Sequence, residues 1–180
     1  KGGNWLLESS SSGAMNKAVS GPLDSAKLMA WNFSLAPGIT VSPTSGLITT
    51  EGGGQATFDV VLDAAPLSDV TIPISTSNAA EGTVSTSLLT FTPADWNVAQ
   101  TVTVTGVDDF VDDGNIAYSI VTAAATSADG NYSGRNASDV SVSNTDDDTA
   151  GVTVSPTSGL VTTEAGGTAT FTVVLNSQPT

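Results

Sequence analysis

Residues 38–67 read GITVSPTSGLITTEGGGQATFDVVLDAAPL and residues 151–180 read GVTVSPTSGLVTTEAGGTATFTVVLNSQPT, with 21 of 30 aligned positions identical. The offset of 113 residues is too long for a solenoid unit and matches a string of whole domains of roughly 100 residues. Inside this stretch the apolar period is two, not 3.6. Phe58, Val60 and Leu62 share a face in ATFDVVL, and further on Val102 and Val104 oppose Thr101, Thr103 and Thr105 in QTVTVTG. Turn residues recur every 8 to 12 positions, which predicts strands at 39–42, 46–50, 55–62, 69–76, 87–92, 100–106, 115–123 and 138–144. Pro73, inside one of these runs, predicts an edge or a bulge there. Seven or eight short strands, each with one apolar face, specify an all-β fold: immunoglobulin-like antiparallel β-sandwiches in tandem, with Trp96 closing one end of the core.

Working outward from the repeat, the 180 residues divide into three parts. Residues 38–150 are expected to form one complete repeat and 151–180 the N-terminal part of the next, too short to close a core by itself. Residues 1–37 have no counterpart in the repeat. Two apolar runs there, NWLLES and KLMAWNFSLA, flank a Ser/Gly/Ala-rich loop and predict the C-terminal hairpin of a preceding β domain. The chain thus reads as a window on a longer polypeptide or as a subunit whose ends complete its neighbours in a filament.

Composition removes most catalytic chemistry. There is no cysteine and no histidine, so disulfides, thiolate nucleophiles, imidazole bases and the common zinc sites are absent from the chain. No GxSxG motif occurs, and with 6% aromatic residues no aromatic-lined cleft flanked by paired carboxylates is apparent. The chain is accordingly read as not an enzyme. Four bases (Lys1, Lys17, Lys27 and Arg135) stand against 18 acids, a net charge of -14 that repels nucleic acid and anionic membrane. Ser and Thr make up about a quarter of the sequence, and mean hydropathy is slightly positive at +0.12, so the chain folds. An acidic, Thr-rich, Lys-poor chain predicts an extracellular or cell-surface location.

The acids are not evenly spread. Glu51 precedes a glycine-rich turn, Asp108, Asp109, Asp112 and Asp113 crowd the loop GVDDFVDDGN, and Asp146, Asp147 and Asp148 close SNTDDDTAG. In a seven-stranded sandwich these three loops can meet at one end. Eight carboxylates brought together without basic partners repel one another. A hard divalent cation relieves this, because Ca2+ takes six to eight oxygen ligands in flexible geometry. Aspartates also favour loops for their own sake and keep a surface soluble, so a solvated acidic edge is the competing reading. The DDD run abuts Gly151, where the second copy starts, so a bound ion would also stiffen the junction.

These residues carry a resemblance. TE-G-G, then F-x-V-x-L, TF-x-P-x-x-W, V-x-V-x-G-x-DD and a closing DDD-x-AG are similar to a Calx-beta domain, as found in exchanger regulatory loops, integrin beta-4 and large bacterial surface proteins; VSPTSGL and TVTVTGVDD resemble tandem repeats of long bacterial adhesins. The resemblance spans residues 38–180. It implies a calcium-binding structural repeat whose ligands are Glu51, Asp108, Asp109, Asp112, Asp113, Asp146, Asp147 and Asp148. Glu164 matches Glu51 in the second copy. One departure concerns the DGTA...DY segment of exchanger-type domains, which supplies a further aspartate and is replaced here by SNAAEGTVSTS; this leaves Glu81 as the only acid there, and one of the family's ion sites is expected to be missing. The implied partners are neighbouring repeats of the same chain or neighbouring filament subunits, with a cell-surface or glycan target at a distance. Two other readings stand beside this: a carbohydrate-binding module using Trp96 or Tyr132 as a platform, and a non-catalytic repeat region attached to a secreted enzyme.

Overall fold

The computed structural model describes residues 36–180 and, as backbone, two strands of the leading segment, β1 (Leu6–Ser9) and β2 (Met15–Val19). These two pair antiparallel, Leu6 opposite Val19. The first apolar run supplies β1, whereas residues 27–35 of the second lie outside the described residues. The leading segment and residues 36–180 form separate compact units.

From residue 39 the strands are β3 (Ile39–Ser42), β4 (Leu47–Thr50), β5 (Gln55–Leu62), β6 (Val70–Thr76), β7 (Gly82–Val84), β8 (Leu88–Phe91), β9 (Gln100–Gly106), β10 (Ile116–Thr122), β11 (Thr126–Ser127), β12 (Val140–Thr145), β13 (Val152–Ser155) and β14 (Thr172–Leu175). One sheet runs in the order β3-β5-β9-β7, antiparallel throughout. The other runs β11-β6-β10-β12-β4, with β8 on the opposite edge of β6. Its last pair, β12 with β4, is parallel. The chain therefore enters in one sheet as β3 and crosses to the other as β4 before returning. This is an immunoglobulin-like β-sandwich. Among the described residues there is no helix, and so none long and apolar enough to cross a membrane.

Alternation along each strand builds the core. Phe58, Val60, Leu62, Val102 and Val104 project inward from one sheet, and Ile72, Ile74, Ile120, Val140 and Val142 from the other, all at most 2% exposed. Phe91 and Leu89 fill the gap beside β6. Each such side chain contributes about 1.5–3 kcal/mol on burial. Pro73 is not at an edge, since β6 has neighbours on both sides. Its carbonyl accepts the Ala123 N–H, so its missing N–H faces the gap where the ladder breaks between Thr122 and Thr126. A proline is tolerated there because β10 and β11 are interrupted at that point.

At the end of the sandwich where β10 gives way to β11, Tyr132 is fully buried, and its hydroxyl donates to the Ala64 carbonyl. Trp96 is half-buried against the core, and its carbonyl accepts the Leu62 N–H. At the opposite end, β4, β9 and β12 finish and β10 begins. The acidic loops gather here.

Candidate metal centre

Glu51 follows the last residue of β4. Its N–H donates to the Thr145 carbonyl at 3.0 Å, which ties it to the end of β12. The chain then turns back at once. Gly53 has φ +83°, a conformation that suits glycine, and Gly54 donates to the Thr50 carbonyl and hydroxyl, each at 3.1 Å. The turn leaves the Glu51 side chain only 3% exposed.

Around it lie the other acids. An oxygen of Glu51, one of Asp108 and one of Asp147 all lie within 4.8 Å of one another, and so do oxygens of Glu51, Asp146 and Asp148. A third group, Glu81 with Asp109 and Asp113, meets the same distance. Ligand oxygens about 2.3–2.6 Å from one calcium ion sit at most about 5 Å apart, so each triad has the spacing one ion needs. Asp112 falls in none of these groups. Its Oδ2 accepts the Ala150 N–H at 2.7 Å, which anchors the segment leading into the second copy.

Backbone donors fix some of these carboxylates. Asp146 accepts N–H bonds from Gly114 at 2.6 Å and Asp148 at 2.7 Å, and those bonds hold its carboxyl below the usual range. Glu51 accepts only the Asp147 N–H, at 3.2 Å. Burial, reinforced by the charges of Asp146, Asp109 and Asp113, pushes its carboxyl up to about 7. Burial, then Asp146 and Asp147, likewise raises Asp148, whose Oδ2 is buried with no hydrogen-bond partner. Arg135 is the one cationic side chain in residues 36–180, and it sits at the Tyr132 end, donating to the Asn131 carbonyl. Among the described residues the pole thus presents converging oxygens, a buried carboxylate, an orphaned oxygen and no basic side chain. That donor set fits a hard divalent cation.

Seven of the eight residues expected from the sequence therefore fall in these groups, and Asp112 stands beside them. Glu81, 6% exposed, joins from the loop before β7, so an acid triad stands at the segment where an ion site was expected to be missing. Beneath the acids lies a buried polar layer that sequence reading missed: Thr49, Tyr118 and Asn144, each at most 5% exposed. Of the two sugar platforms considered, Tyr132 is enclosed, and Trp96 is half-buried against the core.

A scan against protein-family models finds no match, and neither does a comparison with curated protein sequences. Among solved structures, the chain is similar to the apo form of the Calx CBD1 domain at 18% identity and TM-score 0.47, over 61% of this chain and 96% of that one. CBD12 from CALX1.2 follows at 14% identity and TM-score 0.46, over 77% of this chain and 72% of that one. SSP-19, an MSP-domain-like protein of Caenorhabditis elegans, aligns at 15% identity and TM-score 0.40, over 59% and 96%. Residues 36–180 define an immunoglobulin-like sandwich with an acidic pole that holds no basic side chain among the described residues.

Proposed function

We propose that residues 38–150 form a non-catalytic, calcium-binding structural repeat of a long extracellular or cell-surface protein, an adhesin or filament, in which bound calcium stiffens a spacer. Residues 1–37 close a preceding β domain and 151–180 open the next repeat. The observation that carries this reading is the pairing of Glu51, buried among acids, with Asp148, whose Oδ2 has no partner. An uncompensated buried carboxylate is costly, and a divalent ion would convert that cost into binding. The mechanical role draws on the junction. Asp146, Asp147 and Asp148 run straight into Gly151, and Asp112 holds Ala150, so an ion fixed by this pole would fix the linker to the second copy.

The test is the thermal melt of the chain in millimolar Ca2+, after EDTA, and with Mg2+ as control. A site of micromolar affinity stabilises the folded state by about 4 kcal/mol at millimolar calcium, a rise of about 10 °C or more. An unchanged melt leaves the sandwich in place and makes the pole a solvated acidic edge.

A further inference from the structure

We propose that Asn144 is the positioning residue of the acidic pole: its single buried amide holds together the segments that carry the acids. The inference rests on the calcium reading above.

Asn144 lies in β12, two residues before Asp146, and is 1% exposed. Its Oδ1 accepts the Thr49 hydroxyl at 2.9 Å, and Thr49 is two residues before Glu51. Its Nδ2 donates to the Val107 carbonyl at 3.0 Å, one residue before Asp108, and reaches Glu81 Oε2 at 3.4 Å. The base of every acid-bearing segment therefore touches this one side chain. Tyr118 extends the chain of contacts, its hydroxyl 3.1 Å from that of Thr49.

The chemistry admits few substitutes. A carbonyl and a carboxylate cannot donate, so the NH2 end of the amide must face Val107 and Glu81, and the oxygen must face Thr49. An aspartate would set an acceptor oxygen against the two acceptors Val107 and Glu81, and an apolar residue would leave buried partners unmade. The facing sheet makes room for it. A Cβ at Gly106 would fall 2.6 Å from Asn144 Oδ1 and 2.2 Å from the Thr50 carbonyl, and one at Gly82, the residue paired with Gly106, would strike the Tyr118 hydroxyl. Gly106 thus opens the space in which the amide sits, and Gly82 that of the Tyr118 hydroxyl.

The experiment is a calcium titration by calorimetry on the whole chain, with the melt of the EDTA-treated protein recorded for each variant. Asn144→Ala is expected to weaken calcium binding by about 10- to 100-fold, the range seen when a residue supporting metal ligands is lost. Thr49→Val keeps the shape of the site and removes one hydrogen bond to the amide, and is expected to weaken binding by about fivefold. Thr122→Val is the control for a merely structural effect. It removes a buried hydroxyl bonded to the Ser138 carbonyl at the far end, and should lower the melt without moving the calcium Kd. An Asn144→Ala Kd within twofold of the parent overturns the proposal, as does a Thr122→Val effect of equal size. Should Asn144→Ala not fold, an unmoved Kd in Thr49→Val overturns it instead. A parent chain that takes up no calcium overturns the functional reading, and this inference with it.

Discussion

The two copies of the repeat form the same local structure in opposite surroundings. β13 pairs with β14 in the register of β3 with β5, Val152 opposite Leu175 as Ile39 is opposite Leu62. Asn176 donates to the Gly151 carbonyl at 2.9 Å, as Asp63 does to that of Gly38, and Thr153 bonds the Asn176 side chain as Thr40 bonds Asp63. The tight turn before the second strand recurs, Gly167 on Thr163 as Gly54 on Thr50. Everything that reaches further differs. Phe58 is 1% exposed and Phe171 58%, Leu62 2% and Leu175 54%. β5 has eight residues where β14 has four, and residues 160–163 form no strand where 47–50 form β4. The reason lies in the partners. β9 extends β5, and β12 pairs with β4, whereas β14 has only β13 as a ladder partner among the described residues. Thirty residues encode a hairpin and its turns, and the rest of the sandwich supplies strand length and burial.

The widest separation between the copies should come from their matched phenylalanines. Phe58→Ala removes a ring from the centre of the core and should cost about 3–5 kcal/mol in urea denaturation. Phe171→Ala, at the identical place in the repeat, should stay within about 0.5 kcal/mol. Comparable costs would mean that the second copy is as buried in solution as the first.

The glutamates separate next. Glu51→Gln should weaken calcium binding at least about tenfold, because the buried ligand loses its charge, while Glu164→Gln, exposed, should leave the titration unchanged. Without calcium the sign reverses. The folded-state value for Glu51 of about 7 lies above its ordinary 4.5, so the folded protein keeps a proton that the unfolded chain has released between those values. Ion-free stability therefore falls as pH rises from about 4.5 through 7, and the penalty is complete above that. Asp148, also raised, adds to the fall, so Glu51→Gln should flatten the slope without abolishing it. At pH 8 in EDTA, Glu51→Gln should melt above its parent and Glu164→Gln level with it. Melts across pH 5 to 8 in both media check the two signs together.

How much of this was legible in the sequence follows the same division between local and distant. The long strands were readable because their apolar period is written into a few consecutive residues. β7 and β11, three and two residues long, carry no periodic signal and exist through pairing with β9 and β6. The acids could be placed at strand ends, which brings the loops to one pole, but their grouping depends on how the two sheets close. Glu81 reads as a lone acid in a turn until β7 pairs with β9. Asn144 had no signal at all: in SVSNTDDD it is one polar residue among many, and its role appears only when Thr49, Val107 and Glu81 surround it. Tyr132, which one alternative reading offered as a sugar platform, is enclosed for the same reason: its sequence neighbours are polar, but its hydroxyl bonds Ala64, 68 residues away.

The smallest expected difference concerns the glycines that begin each copy's second segment. Gly46 and Gly159 have φ +78° and +77°, with no atom near enough to contact an added Cβ. Alanine at either place would meet only the backbone cost of the left-handed region, about 1 kcal/mol. The local penalty is therefore the same in both copies, but the melt should register only one of them. Gly46 leads directly into β4, which is laddered to β12 and belongs to the cooperative sandwich. Gly159 leads into residues that form no strand, so a penalty there is absorbed by local opening before the sandwich unfolds. Gly46→Ala should lower the melting temperature by a few degrees and Gly159→Ala should not change it. Equal shifts would show that the second copy unfolds together with the first, and that its exposed face is coupled to the core through the linker held by Asp112.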